Sequence, residues 1–211
     1  MREKDAFIDD LKQQISEKIK KVNIEYPPGV IRRTAPSNKA KGSVVEMYTS
    51  EQTYHNKLIE LIEYCFDHPN VFGHDIVYDL KTIILQQTAL LQIAQRASND
   101  RNPDALNTLF KVFIKTFSGN KMLKNLYIKY SNKDIIINKI KKNLPKNQRM
   151  EAQSLATVIL QRLPRYRMLL DAIGKAGYKW FPLWKQTNSI MTEFLADVNN
   201  QLRGINNFLT V

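Results

Sequence analysis

Three short runs hold the side chains of this chain that could do chemistry. Residues 160–170 read Leu-Gln-Arg-Leu-Pro-Arg-Tyr-Arg-Met-Leu-Leu, with Arg162 and Arg165 on either side of Pro164. Residues 44–58 read Val-Val-Glu-Met-Tyr-Thr-Ser-Glu-Gln-Thr-Tyr-His-Asn-Lys-Leu and carry the carboxylates Glu46 and Glu51. Residues 194–200 read Phe-Leu-Ala-Asp-Val-Asn-Asn. Guanidinium, carboxylate and amide groups of this kind form charge-assisted hydrogen bonds. Covalent and metal chemistry find little support elsewhere. The single cysteine, Cys65, cannot form an intramolecular disulfide. It falls in the apolar stripe Leu58, Leu61, Ile62, Cys65 and Phe66, the setting of a buried structural thiol. The histidines His55, His68 and His74 give no metal-ligand spacing with it. There is no Gly-x4-Gly-Lys-Ser/Thr loop, so a nucleotide-binding role is not expected, nor is a bound cofactor or metal.

Helices must position these runs. Seven glycines in 211 residues are few, and β-branched residues are scattered and do not alternate. Hydrophobic residues make up 43%, enough for a full core. Phe7, Ile8, Leu11, Ile15, Ile19 and Val22 share one face of a helix over 5–22. Residues 24–43 interrupt it with Pro27-Pro28-Gly29, Pro36-Ser37-Asn38 and Gly42, and read as a linker. Residues 1–42 are therefore expected to be an appendage to a main body over 43–211. Six helices are predicted there, over 43–67, 75–97, 103–117, 121–143, 150–173 and 183–208. Asp67-His68-Pro69, Asn102-Pro103, Ser118-Gly119-Asn120, Leu144-Pro145 and Gly174 with Gly177 separate them. Ile190, Met191, Phe194, Leu195, Val198, Leu202 and Ile205 form the apolar stripe of the last. The fold expected is an all-α, elongated helical bundle.

The fifth helix carries Pro164 inside it. An interior proline removes a donor and clashes with the preceding turn, at a cost of about 3 kcal/mol, so its retention marks this stretch. On the first helix of the body, positions 47, 51, 54 and 58 share a face while 46 lies to one side. Glu46 is thus expected to be accessible beside a packed stripe. As a bland alternative it is an early-helix acid favoured by the helix dipole.

The net charge of +12 and pI near 9.7 favour acidic proteins, nucleic acid or anionic lipid as partners. Lys139, Lys141, Lys142, Lys146 and Arg149 cluster around a helix end, as a basic module or merely a solvated one. No aromatic interleaving or groove-entering motif accompanies them, which disfavours nucleic acid. The charged start, Met1-Arg2-Glu3-Lys4-Asp5, is no signal core, and no apolar run approaches the roughly 18 residues of a membrane span. A soluble, cytoplasmic protein is expected.

Together the runs resemble the Dbl-homology domain, the helical exchange factors for Rho-type small GTPases. Glu46, Glu51, Tyr54 and Leu58 fall on the family's first signature, roughly Glu-Leu-x2-Thr-Glu-x2-Tyr-x3-Leu, with Met47 and Ser50 as near-equivalents. Gln161, Arg162, Pro164, Arg165, Tyr166, Leu169 and Leu170 fit its most specific pattern, close to Lys-Pro-Val-Gln-Arg-Ile-Pro-Arg-Tyr-Pro-Leu-Leu-Leu. Val158, Ile159 and Arg167 depart from it. Residues 71–95 and the segment at Tyr127 and Tyr130 resemble further helices more weakly, and core packing explains those tyrosines equally well. Asn199 aligns with a family asparagine, and Asn200 replaces a common acid.

The resemblance covers about 43–208. It implies that Glu46 holds switch I of a GTPase while Arg165 and Asn199 hold switch II. Glu51, Gln161, Arg162 and Arg203 are the further GTPase contacts it implies. The partner implied is a Rho-family small GTPase, nucleotide-free or GDP-bound; an anionic membrane surface is a second candidate. Two other readings stay open: a Dbl-like scaffold that binds without exchange, and a basic lipid-binding module. The abundance of lysine, isoleucine and asparagine suggests an AT-rich genome. That fits a domain of a larger eukaryotic protein, or a bacterial effector acting in a host cytoplasm.

Overall fold

A computed structural model describes residues 2–21, 38–99, 103–179 and 181–208. Those residues form helices joined by short turns and contain no strand: α1 (Arg2–Lys21), α2 (Asn38–Asp67), α3 (His74–Asn99), α4 (Pro103–Phe117), α5 (Lys121–Ser131), α6 (Lys133–Asn143), α7 (Lys146–Ile173) and α8 (Pro182–Phe208). A π-helical turn, Gly174–Tyr178, follows α7. The all-α bundle expected from the sequence is the observed architecture. Val22, Asn102, the linker signals over 24–37 and the side chain of Ile205 lie outside the described residues.

The breaks follow local chemistry. Pro69 closes α2, and the amides of Val71 and Phe72 turn back onto the His68 carbonyl at 3.0 and 3.1 Å. Gly119 supplies the positive φ of 65° between α4 and α5. Asn120 then caps α5, its Oδ1 accepting from the Leu123 amide at 3.0 Å. Three boundaries differ from expectation. The single helix over 121–143 is two, because Asn132 adopts extended ψ of 103°; asparagine competes with the helix backbone and tolerates such breaks. α7 begins at Lys146 instead of 150, directly after Pro145. α2 begins at Asn38, so residues 38–43 are helix and not linker. One glycine does not stop a helix that buries Ala40 and Val44 on the same face.

α1 lies against α2 and α3. Ile8 and Leu11 are buried, and Phe7 meets Phe66 and Tyr78 edge-on at 5.3 and 5.5 Å. Lys81 pairs with Asp10 at 2.6 Å and Lys4 with Asp67 at 2.9 Å.

Between α3, α4, α5, α7 and α8 runs an aromatic core of Phe113, Phe117, Tyr127, Tyr166 and Phe194, with ring centroids 5.2–6.2 Å apart in the contacts they share. The α7–α8 corner is tight. Trp184 Nε1 donates to the Leu170 carbonyl at 2.9 Å, and a Cβ on Gly174 would lie 2.3 Å from Trp184 Cζ2. The indole is rigid and already bonded. Gly174→Ala is therefore expected to destabilise the fold by about 1–3 kcal/mol, the usual range for overpacking, measured as a lowered urea midpoint.

Candidate functional site

α2 and α7 cross antiparallel, and two ion pairs join them like rungs. Arg165 Nη2 donates to Glu46 Oε1 on the outside. Arg162 Nη2 donates to Glu51 Oε2 inside. Residues 46 and 51 rise along one helix as 165 and 162 descend along the other, which fixes the register between them.

The outer rung is where the sequence places it. Met47, Glu51, Tyr54 and Leu58 are buried on one face of α2, and Glu46 lies beside it with a side chain 51% exposed. Its partner Arg165 is 41% exposed. An exposed pair of this kind is worth about 0–1 kcal/mol, so it orders the two groups without locking them.

The inner rung corrects an expectation. Glu51 and Arg162 were expected to touch a partner, but their side chains are 1% and 3% exposed. The reason is the stripe itself: Glu51 shares its face with Met47, Tyr54 and Leu58, so it must enter the core with them. Arg162 follows to neutralise it. The guanidinium lies over the Tyr166 ring at 4.1 Å and the Tyr54 ring at 5.2 Å, and Nη1 donates to Ser50 Oγ at 3.2 Å. The Tyr166 hydroxyl donates to Glu51 Oε2 at 2.6 Å. His55 Nε2 approaches Glu51 Oε1 at 3.2 Å without hydrogen-bond alignment.

The network reaches further. Gln87 Nε2 donates to the hydroxyls of Tyr127 at 2.8 Å and Tyr166 at 3.2 Å, and Tyr54 and Tyr127 share a hydrogen bond at 3.1 Å. Burial alone would push the Glu51 carboxyl up. The Arg162 charge, His55 and the Tyr166 hydroxyl outweigh it and hold the group below its ordinary value. Burial pushes the Tyr54 and Tyr166 hydroxyls well above theirs, so they stay protonated donors.

Above the rungs lies a groove of about 550 Å³ between α2 and α7. Tyr54, Val158, Leu160, Pro164 and Met168 form its apolar part; Lys57, Gln161 and Arg165 rim it. Gln161 is exposed there, as expected, and Met168 is 61% exposed. Pro164 sits in an unbroken α7 with its ring exposed. It leaves the Leu160 carbonyl without its usual i+4 donor at the groove. Asn199 and Arg203 lie exposed on α8 and form no hydrogen bond or ion pair with the Glu46–Arg165 pair. The structure thus brings Glu46, Gln161 and Arg165 to one surface and leaves the α8 residues on a neighbouring helix.

Sequence reasoning missed Lys57, Val158 and Met168 as groove residues, and Gln87 as a core polar group. Gln87 had a signal: a glutamine between Ile84 and Leu90 in an otherwise apolar helical stripe. Cys65 is buried as expected, which pushes its thiol up to about 12 and leaves it unreactive. Among the described residues no group of histidine, cysteine and carboxylates could hold a metal ion.

The family model of the RhoGEF domain matches residues 43–199, about three-quarters of the chain. This chain belongs to the RhoGEF family. The match spans both rungs, the groove and Asn199, and stops before Arg203; α1 lies outside it. No curated protein and no solved structure matches the chain. The RhoGEF family comprises exchange catalysts that act on Rho-type GTPases without covalent chemistry. This RhoGEF domain departs from the family pattern at Ile159, which is fully buried within the continuous α7, so the missing proline leaves the helix regular. No helix among the described residues is long and apolar enough to cross a membrane.

Proposed function

We propose that the chain is a guanine-nucleotide exchange factor for a Rho-family small GTPase, with the α2–α7 groove as its docking surface. One observation carries this reading: Glu46 and Arg165, two of the three residues that the family resemblance assigns to the switches, pair with each other where Arg165 rims the groove, and both side chains are accessible. A GTPase holds its nucleotide through a phosphate-cradling loop, Mg²⁺ and two switch segments. An exchange factor releases it by binding the nucleotide-free form more tightly than the loaded one. Glu46 would hold switch I; Arg165 and Asn199 would hold switch II in a form that excludes the metal. Gln161 would add a polar contact at the rim, and Arg203 a further cation along α8. Glu51 and Arg162 would act from beneath by fixing the register.

The free chain has a state suited to this. Glu46 and Arg165 satisfy each other until the partner arrives, and opening so exposed a pair costs no more than about 1 kcal/mol. Both groups then exchange one ionic partner for another.

The test is release of a fluorescent GDP analogue from a panel of Rho-family GTPases. Accelerated release from at least one member is expected. Stable binding of nucleotide-free GTPase with unchanged release would instead assign a scaffold. Neither binding nor release on any member would remove the Rho reading.

A further inference from the structure

The corner between α6 and α7 presents a basic surface with an exposed apolar residue. Lys141, Lys142 and Lys146 are exposed and form no ion pair among the described residues. Arg149 folds back over the corner, its Nε donating to the Leu144 carbonyl at 2.8 Å. That bond uses one of five donors and leaves the charge in place. Met150 follows at 80% exposure, the most open large apolar side chain among the described residues. Leu144 at the same corner is buried, whereas Met150 is not part of the core. Glu151 is the acid next in sequence, and no ion pair joins it to these cations. Lys139, one turn earlier, lies in the field of Asp75 and is not counted with them.

We propose that this corner binds the surface of an anionic phospholipid bilayer, the cations meeting headgroups while Met150 enters the interface. Two features select a membrane over a nucleic acid. The patch is a compact corner, not a stripe that could follow a phosphate backbone. It includes an exposed aliphatic thioether one helical turn after Lys146, which gains by leaving water for the acyl boundary and offers no aromatic face for a base to stack on. Gln161 lies fifteen residues along α7 from Lys146, about 22 Å of helix. The groove is therefore separate from the corner along α7. The inference stands whether or not the groove catalyses exchange.

The test is co-sedimentation of the full chain with vesicles of phosphatidylcholine containing about 30% phosphatidylserine, at roughly 0.1 M salt. Each cation near such a surface strengthens binding roughly fivefold. Neutralising the three lysines in Lys141→Gln/Lys142→Gln/Lys146→Gln should therefore weaken it about a hundredfold. Neutralising the exposed Lys111, Lys115 and Lys121 to glutamine removes the same net charge elsewhere and should change binding only a few-fold. Met150→Ser should weaken binding at a salt concentration that screens the charges. Circular dichroism of each variant checks the fold. Equal losses from both triple variants would reduce the effect to net charge and overturn the proposal. Failure of the wild type to sediment would do the same. Tighter binding to a DNA or RNA duplex than to the vesicles, lost in the corner variant, would overturn it in favour of nucleic acid.

Discussion

Glu46→Ala is expected to lower the exchange rate by about two orders of magnitude or more while leaving thermal stability almost unchanged. The size follows from removing one preorganised charged contact, typically about 10²–10³ in rate. The small stability effect follows from exposure: the pair with Arg165 contributes no more than about 1 kcal/mol. Arg165→Ala should also reduce exchange, and the double variant should lose less than the two single losses combined, because both groups act on one bound state. The charge swap Glu46→Arg/Arg165→Glu separates the two roles of the rung. It restores an ion pair between α2 and α7 and presents the wrong charge to each switch. Wild-type Tm with abolished exchange would place the function of these residues in contact with the partner. Recovery of exchange by the swap would make the pair a structural strut and remove it from the site.

Arg162→Leu should be the most destabilising single change near the site. Removing one partner of a buried ion pair leaves the other uncompensated and costs about 3–5 kcal/mol. In a chain of this size that corresponds to a fall in Tm of roughly 6–20 °C. Replacing both partners, as Glu51→Leu/Arg162→Met, should recover most of the loss, since apolar residues of similar volume often replace a buried pair without penalty. The dependence on pH should change with it. In the wild type the Glu51 carboxyl is held below its ordinary, unfolded value in the folded state, chiefly by the Arg162 charge acting against burial. Its contribution is therefore present above that value and lost as pH falls through the lower folded one. In Arg162→Leu the dominant lowering influence is gone and burial raises the group. The sign reverses: the variant should lose stability as pH rises above the unfolded value, a range in which the wild type has already reached its plateau. Urea midpoints measured between about pH 3 and 7 would read both curves. Parallel curves would mean that Arg162 does not control Glu51.

Much of this was legible in the sequence because helices bury by period. The stripe Met47, Glu51, Tyr54 and Leu58 placed Glu46 beside the packed face, and the structure has it there. The interior Pro164 marked the helix that lines the groove. What failed has a physical reason in each case. Period alone put Glu51 on the buried face, but an acid in such a stripe reads as a surface contact until its counter-ion is known. That counter-ion is 111 residues away. Gln87 and Tyr127 belong to the same difficulty, for their hydrogen bond joins α3 to α5 across 40 residues. Asn132 and Gly42 show the opposite error of reading punctuation. The asparagine breaks a helix that its neighbours would continue, whereas the glycine is carried through by Ala40 and Val44.

The two rungs between α2 and α7 also divide what can drift from what cannot. The inner one sits in a network of four helices, and a change there must be matched by a second change before the protein is sound again. The outer one lies on the surface, where a substitution hardly touches folding and, on the proposed function, alters recognition. If the groove is the docking surface proposed above, descendants of this sequence can explore new partners through positions 46, 161, 165 and 168 one step at a time. They need not pass through an unfolded intermediate, because the alignment of the two helices is held from within.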